Sequence, residues 1–446
     1  MRSLGVNLPF VFTPHPVVSM PPETLYEYLE SPDPLTGRLV IDEIIEALTK
    51  TPEVDAGGLS GVRLASEGVS EREIMLGPDT EDNLQQLFYE RGWTDGLPVV
   101  LPTEERVQAM LTGTGRPADE LVGEIFLHDT KEQLRYTVLD VAVIAVMAGA
   151  RPEHLPVILA TAATKQSALT PSTTPFGSML LVNGPIRNEI GMNSGLAAFS
   201  PGNLANAVIG RAWTLMAFCW GFGRPKVTLW SSQGNGFLYN NMCFAENEER
   251  SVWAPFHVQK GFQPDESVVS VFKGWFVMNS LMAASKRTIG EEVTLQLSVI
   301  PALHSNATLL LDPLVARQLK EIDGFERKED FSRWISQNAL IPAGRYWGTD
   351  HIDMLVAPLA DSGVEPFATW RKAAADELIP HYHDPERINV VVVGGETSPV
   401  WKTTDYGCWG SASVDYWRPP QLARPAGVEC TDGVCGLPDP EVDYDE

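Results

Sequence analysis

Residues 178–186 read "SMLLVNGPI", an apolar run that ends in a Gly-Pro loop. A short apolar run bounded by such a loop is typical of a buried strand. Residues 199–221, "FSPGNLANAVIGRAWTLMAFCWG", predict a long apolar helix that follows, with Ser200 as its N-cap and Pro201 at its first position. A buried strand that leads into a helix is the repeating unit of α/β proteins.

The same alternation continues along the chain. Strands are predicted at "LPVVLP" (97–102), "SVVSVF" (267–272), "EVTLQLSVI" (292–300), "ATLLL" (307–311) and "RINVVVVGGETSP" (387–399), and helices at 40–50, 81–92, 136–168, 312–324 and 328–340. The pattern therefore predicts an α/β fold of mixed sheets with packed helices and more than one subdomain. We expect a small unit (1–50), a linker (51–80), a main α/β body (81–320), a C-terminal α/β part (321–417) and an acidic cysteine-bearing tail (418–446).

Charge and cysteine usage narrow the function classes. The chain has 446 residues and a net charge of −25, from 33 basic and 58 acidic residues. Such a field repels nucleic acid and anionic membranes, so neither is an expected partner. Five cysteines are too few for a secreted disulfide framework, and the first residues show no signal pattern. We expect a cytoplasmic protein.

The tail carries two cysteines, Cys430 and Cys435, around the turn "TDGV". Gly433 allows a tight turn, which brings the two sulfurs within reach of each other. A disulfide here would be exposed and easily reduced, which suits a redox shuttle. Metal capture and two thiols without a role remain alternatives, and the acidic neighbours Glu429 and Asp432 disfavour the thiolate.

A second group lies in "NNMCFAENEERSVWAPFH" (240–257). Cys243 is a candidate nucleophile, with Glu246 and His257 as candidate acid and base. Glu246, Glu249 and His257 are also candidate ligands for a divalent metal, the one cofactor that the sequence suggests. The alternative is a buried strand cysteine beside a solvated acidic turn.

A third group is the Asn- and Gly-rich run at 180–211, where loop N–H groups and a helix N-terminus could face an anionic ligand. The candidate substrate-binding residues are Asn183, Asn193, Ser194, Asn203, Asn206 and Arg211. An ordinary structural connection is the alternative. No Walker or dinucleotide fingerprint is present.

Two weaker signals remain. His381 and His383 could chelate a metal on a strand, or lie in a solvated turn. The tryptophan motifs "GCWG" (407–410) and "WTDG" (93–96) are candidates for lining a pocket.

Several long strings, among them "ERGWTDGLPVVLPTEERVQAML", "VMAGARPEHLPVILA", "GMNSGLAAFSPGNLANAVIGRA" and "CFAENEERSVWAPFHV", resemble a large bacterial family associated with the UGSC (seleno)proteins. The resemblance covers about residues 81–320, and 1–50 is similar to the end of a UGSC domain. The defining Sec/Cys-Gly-Ser-Cys string is absent. The resemblance implies a thiol or selenol redox setting in which a partner chain supplies the dithiol or the Cys430/Cys435 arm replaces it. That arm also resembles the shuttle tail of class I ribonucleotide reductase large subunits.

Three functions follow from these signals. The preferred one is a thiol- or redox-linked enzyme, or a catalytic subunit, that acts on a small polar or anionic substrate with the Cys-x4-Cys arm. The second is a metal-dependent lyase or hydrolase that uses Glu and His ligands. The third is a non-catalytic scaffold or metal-delivery subunit of a heteromer. Expected partners are the substrate and a thiol or selenol redox protein or second subunit.

Overall fold

The structure, a computed structural model, describes residues 20–33, 36–50, 79–126, 133–170, 172–220, 231–280, 287–300, 305–420, 430–431 and 434–435, and the single residues 11, 13, 77, 229 and 302. Its α-helices are α1 Pro22–Leu29, α2 Val40–Thr49, α3 Glu81–Glu90, α4 Glu104–Leu111, α5 Val138–Ala148, α6 Leu155–Ala163, α7 Ile186–Glu189, α8 Leu204–Cys219, α9 Phe256–Gln259, α10 Ile289–Leu297, α11 Pro313–Glu321, α12 Lys328–Asn338, α13 Ala343–Tyr346, α14 Asp350–Leu355, α15 Ala357–Asp361 and α16 Phe367–Trp370. Its strands are β1 Leu121–Phe126, β2 Gln133–Thr137, β3 Gly177–Asn183, β4 Phe244–Ala245, β5 Val268–Gly274, β6 Val277–Asn279, β7 Ala307–Leu311, β8 Leu340–Pro342, β9 Leu378–Pro380, β10 Ile388–Val392, β11 Trp401–Thr404, β12 Gly407–Ser413, β13 Cys430–Thr431 and β14 Val434–Cys435.

Two four-stranded mixed sheets form the centre of the molecule, with strand orders β12-β5-β3-β4 and β10-β7-β11-β6. The pairs β3–β4 and β7–β10 are parallel, whereas β5 pairs antiparallel with both β3 and β12. The predicted α/β class with mixed sheets and packed helices is therefore confirmed. Strands from both predicted parts, 81–320 and 321–417, share each of the two sheets.

The side chains of each sheet alternate between two hydrophobic cores. Met179 and Leu181 of β3 pack with Leu310 of β7 and Val391 of β10, so one face of each sheet contacts the other sheet. The opposite face of the β3 sheet packs against α5, α6 and α8, and that of the β7 sheet against α10, α11 and α12. The period-2 alternation thus buries both faces of both sheets and produces four layers, helix–sheet–sheet–helix.

The predicted strand at 292–300 is wrong, because this segment belongs to helix α10. The hydroxyl of Thr288 accepts a hydrogen bond from the Glu291 N–H, and the Glu291 carboxylate accepts one from the Thr288 N–H. This capping box starts the helix. Ile289, Val293 and Leu297, spaced four residues apart, then face the core.

The predicted strand at 97–102 is also absent. The backbone of Val99 is paired with a side chain instead: Gln85 Nε2 donates to its carbonyl over 2.6 Å, and its N–H donates to Gln85 Oε1 over 3.2 Å. Pro98 and Pro102 have no N–H to offer a neighbouring strand. The backbone N–H and carbonyl of Val99 are therefore paired with a side chain of helix α3 and not with a neighbouring strand.

The long apolar helix begins later than predicted, with Asn203 and not Ser200 at the N-cap position. Helix α4 begins after Thr103, whose hydroxyl accepts a hydrogen bond from the Arg106 N–H. Across the part of the chain that the structure describes, no helix combines the length and apolarity that crossing a bilayer requires.

Candidate functional site

A small hollow opens where the C-terminal end of β5 meets the turn between β11 and β12. Its volume is about 330 Å³, which includes the open solvent at its mouth. The lining residues are Phe176, Lys273, Gly274, Trp275, Asn306, Asp405 and Trp409. The register places Lys273 of β5 opposite Gly407 of β12, so residues more than 130 positions apart in the sequence line one wall.

Lys273 is the basic group of the hollow. It is only 9% exposed, and it forms no hydrogen bond or ion pair with another described residue. Its Nζ lies 5.4 Å from the centre of the Trp409 ring, a cation–π distance. Burial lowers the pKa of Lys273 to about 8, because the low-dielectric surroundings penalise the ammonium form.

Asp405 is the acidic group. Its Oδ1 accepts hydrogen bonds from the backbone N–H groups of Trp275, over 2.9 Å, and Phe276, over 2.8 Å. Burial raises the pKa of Asp405 to about 6, although these two N–H groups favour the carboxylate. Gly274 makes room for this turn, because a Cβ there would lie 2.6 Å from Asp405 Oδ1.

Aromatic rings form the remaining walls. The rings of Phe176 and Trp275 pack with centroids 4.8 Å apart, and Trp275 Nε1 donates to Thr174 Oγ1 over 3.1 Å. Trp409 is 51% exposed and stands at the mouth. The hollow thus combines apolar, planar surfaces with one amine and one carboxyl, which is the composition of a small-molecule site.

One prediction about this hollow is confirmed, since Trp409 of "GCWG" does line it. The other motif, "WTDG", does not: Trp93 packs beside the core of α5, α6 and α8. Lys273 and Asp405 were not predicted. The only local signal for Lys273 is a charged residue at the end of the apolar run "SVVSVFKG".

Glu246 is a structural residue and not an exposed acid or base. It is completely buried and pairs with the equally buried Lys328, whose Nζ lies 2.6 Å from Glu246 Oε1. Glu246 Oε2 accepts hydrogen bonds from Asn183 Nδ2 and from the Phe256 N–H, each over 2.7 Å. The Val392 N–H also donates to Oε1 over 3.3 Å.

Glu248 and Glu249 are also held by partners within the fold. Arg187 donates two hydrogen bonds to Glu249, over 2.8 and 2.7 Å, and its Nε lies 3.2 Å from Glu248 Oε1. This bidentate pair lowers the pKa of Glu249 to about 2. Asn183 Nδ2 and the Gly184 N–H donate to the same Glu248 oxygen.

The predicted metal grouping of Glu246, Glu249 and His257 is not formed, because the two carboxylates are held by Lys328 and Arg187. In the described ranges, no three His, Cys, Asp or Glu side chains cluster closely enough to hold a metal ion. His257 is fully buried, and neither ring nitrogen has a hydrogen-bond partner among the described residues.

Cys243 lies in the apolar core between β3 and α8 and is 2% exposed. Burial raises the pKa of the Cys243 thiol, so the thiolate required of a nucleophile is disfavoured. This corrects the expectation of a reactive thiol here. The alternative stated from the sequence, a buried strand cysteine beside a solvated acidic turn, matches only in part: Cys243 is buried but precedes β4, and Glu246 is buried whereas Glu249 is exposed.

The predicted substrate-binding asparagines stabilise their own loop. Asn193 Nδ2 donates to Asn203 Oδ1 over 2.9 Å, and Asn206 Oδ1 accepts the Asn193 N–H over 3.0 Å. Asn203 Nδ2 donates to the carbonyls of three loop residues, 197, 198 and 200. The Ser194 carbonyl accepts the Gly394 N–H over 3.0 Å, which ties the loop to the end of β10.

Arg211 has a structural partner too. Its Nε and one terminal nitrogen each lie 2.9 Å from a carboxylate oxygen of Asp95, which is 2% exposed. The same terminal nitrogen donates to the Pro98 carbonyl over 2.9 Å. This pairing fixes the 95–98 loop on helix α8 and leaves no free charge for an anionic substrate.

His381 and His383 do not chelate together. Both ring nitrogens of His381 lie within hydrogen-bond distance of backbone carbonyls, those of Ala339 and Leu297, and burial lowers the pKa of His381 to about 4. His383 Nδ1 lies 2.8 Å from Ser305 Oγ. The arrangement of the two histidines therefore matches neither prediction from the sequence, the metal chelate on a strand or the solvated turn.

In the tail, the described backbone pairs Cys430 with Cys435 and Thr431 with Val434 in an antiparallel ladder. The remaining tail residues after 420 lie outside the described part of the chain, as do most of the predicted linker 51–80 and the first ten residues.

The fold and the hollow define a class: a four-layer α/β protein with a small, aromatic-walled hollow that Lys273 and the half-buried Asp405 line. Comparisons of the chain with protein-family models, with curated proteins and with solved structures find no match. The similarity to the UGSC-associated family thus depends on the quoted sequence strings alone.

Proposed function

We propose that this protein is an enzyme that acts on a small polar substrate in the hollow between β5 and β12, with Lys273 as base or nucleophile and Asp405 as acid. The observation that carries the proposal is Lys273, a residue only 9% exposed that lines the hollow without a carboxylate partner among the described residues.

A purely structural role explains Lys273 poorly. A lysine that only supports a fold keeps its ammonium group in water or pairs it with a carboxylate, because burying an unpaired charge is costly. Lys328, the other deeply buried lysine described above, is paired in this way with Glu246. A lysine that is buried and unpaired in a cleft is typical of catalytic sites, where the neutral amine is the working form.

Asp405 complements this amine. A carboxyl group with a pKa of about 6 retains its proton in a fraction of molecules near neutral pH, and the neutral amine of Lys273 coexists with it. Both groups line the same hollow, Lys273 as the proposed proton acceptor and Asp405 as the proposed proton donor.

The state of the amine can be tested by competitive labelling with acetic anhydride across pH, followed by peptide mass spectrometry. Lys273 should label with a midpoint near pH 8, whereas free Nα-acetyl-lysine amide should label with a midpoint of about 10.4. A Lys273 midpoint equal to that of the free standard would contradict the proposal.

Turnover can be tested with a panel of small esters, amides and keto acids on three proteins: wild type, Lys273→Met and Lys402→Met. Lys402 is the matched control, because it also lies over an aromatic ring, that of Phe199, but does not line the hollow. Any turnover found for the wild type should be lost in Lys273→Met and retained in Lys402→Met. Full retention in Lys273→Met would reject the site.

A second candidate function is carriage of reducing equivalents by the tail. It is supported by the pairing of Cys430 with Cys435, because directly opposed residues of an antiparallel pair have Cα atoms about 4.5–5.5 Å apart, within the range of a disulfide. After each turnover, the two thiols would pass two electrons and two protons to the site that the reaction has left oxidised, as the S–S bond forms. A dithiol or selenol partner protein would then reduce the disulfide.

The variants Cys430→Ser and Cys435→Ser test this second function. Each should stop multiple turnover and spare a single turnover of the fully reduced protein, since the arm acts only between cycles. Unchanged steady-state rates in both variants would reject the shuttle.

A further inference from the structure

We propose that Lys273 forms a covalent imine with a small, planar carbonyl compound that lies between the tryptophans of the hollow. This inference rests on the proposed function and specifies its substrate class. Three features carry it: the unpaired amine, the aromatic walls and the nearby protonatable carboxyl.

The amine suits a carbonyl partner. A desolvated lysine in an apolar pocket is the usual source of an uncharged, nucleophilic amine, and its natural electrophile is the carbonyl carbon. An ammonium group would instead select an anion, but it is the ammonium form that burial of Lys273 penalises. The overall charge of −25 also opposes the approach of anions.

The walls favour a planar group. Phe176, Trp275 and Trp409 supply three aromatic surfaces around the hollow, and stacked or edge-on aromatic contacts contribute about 0.5–1.5 kcal/mol beyond area burial. A single ring bearing an aldehyde or ketone would present one planar face to these surfaces at the open side of the hollow. The Asn306 side chain offers a polar contact beside it.

The chemical step balances within the site. The Lys273 nitrogen attacks the carbonyl carbon, and a C–N bond forms as the proton leaves nitrogen for the former carbonyl oxygen. The resulting hydroxyl group takes a proton from Asp405 and departs as water when the C–O bond breaks. The products are a protonated imine, one water molecule and the Asp405 carboxylate, which the N–H groups of Trp275 and Phe276 stabilise.

The test uses the full-length protein with three aldehyde probes and sodium cyanoborohydride, which reduces an imine to a stable amine. The probes are benzaldehyde, which is planar, cyclohexanecarbaldehyde, which has the same ring size but is not planar, and hexanal. Peptide mass spectrometry locates each adduct. Relative to free Nα-acetyl-lysine amide, Lys273 should favour benzaldehyde over cyclohexanecarbaldehyde by about 2- to 10-fold, the ratio that the aromatic contact energies give.

Variants provide controls. Lys402→Met should keep the Lys273 adduct, and Trp409→Leu should keep the adduct but lose part of the preference for benzaldehyde. Because the adduct is located in the wild-type chain, the test does not depend on the folding of Lys273→Met.

Each outcome decides one statement. No adduct at Lys273 with any probe would overturn the imine. A preference for benzaldehyde no greater than that of free Nα-acetyl-lysine amide would overturn the planar substrate class. The acetic anhydride midpoint separates this failure from that of the proposed function. If Lys273 labels with acetic anhydride at a midpoint near pH 8 but forms no adduct with any aldehyde, the proposed acid–base site stands and only the imine is rejected.

Discussion

Lys328 Nζ and Glu246 Oε1 lie 2.6 Å apart in an ion pair whose two side chains are 1% and 0% exposed. Glu246 follows β4 of one sheet, and Lys328 begins helix α12, which covers the other sheet. The pair thus connects the two halves of the four-layer structure through its core. Asn183 and two backbone N–H groups satisfy the remaining oxygen lone pairs.

Breaking this pair should be strongly destabilising. Lys328→Met or Glu246→Gln leaves one uncompensated buried group, and removal of one partner of a buried pair costs about 3–5 kcal/mol. Urea unfolding measures the change in the free energy of unfolding. The matched control is Arg327→Met, which breaks the exposed pair with Asp330 and should cost at most about 1 kcal/mol. Equal losses of unfolding free energy in Lys328→Met and Arg327→Met would show that the Lys328–Glu246 pair does not stabilise the fold more than an exposed pair does.

The stability of the wild type should depend on pH through Lys273. Its pKa is about 8 in the folded chain against an ordinary value of 10.5, so the unfolded chain binds more protons between these values. The contribution of Lys273 to folding therefore becomes more favourable as pH rises from about 8 to 10.5.

Lys273→Met removes this dependence. The gain in stability over the wild type should be greatest below pH 8, on the order of 3 kcal/mol at most, and should shrink toward pH 10.5. Urea unfolding of both proteins at several pH values measures the difference. A difference independent of pH would show that the buried amine is not titrating in this range.

The rate of imine formation at Lys273 should show a plateau between about pH 6 and pH 8. The reactive form needs a neutral Lys273 and a protonated Asp405, and the pKa values of about 8 and about 6 bound this plateau. Asp405→Asn should react more slowly, and its rate should rise to about pH 8 without falling above it. Borohydride trapping with benzaldehyde gives both profiles. A fall above pH 8 that persists in Asp405→Asn would exclude Asp405 as the acid.

Asn203→Ala should weaken the fold and leave the hollow unaffected. The change removes the donor to three loop carbonyls and the acceptor for Asn193 Nδ2. Since buried or half-buried groups lose their partners, the expected cost is about 1–3 kcal/mol in the free energy of unfolding. Acetic anhydride labelling of Lys273 should keep its midpoint near pH 8 in this variant. If the Lys273 labelling midpoint shifts in Asn203→Ala while the free energy of unfolding stays the same, the asparagine loop acts on the hollow and is again a candidate for binding substrate.

The sequence predicted those elements whose signals are local. The buried strands at 178–183, 307–311 and 388–392 appear as apolar runs bounded by turns, and helices α3, α11 and α12 as periodic segments. The wrong prediction of a strand at 292–300 also came from a local pattern. Its alternating Val, Thr and Leu residues fit a strand as well as a helix, and the capping box at 288–291 decided between them.

The sequence by itself therefore determined the α/β class, the apolar character of the two sheets and the repulsion of polyanions that a charge of −25 imposes. Only the tertiary structure decided which polar residues are free to act. Glu246 and Arg211 look like site residues in the sequence, but distant partners, Lys328 and Asp95, occupy them. Asn203 is occupied by its own loop. Lys273 looks ordinary, yet the pairing of β5 with β12 buries its amine beside Trp409 and leaves it unpaired among the described residues. The reason is physical: burial and pairing depend on contacts between distant segments, which no local pattern encodes.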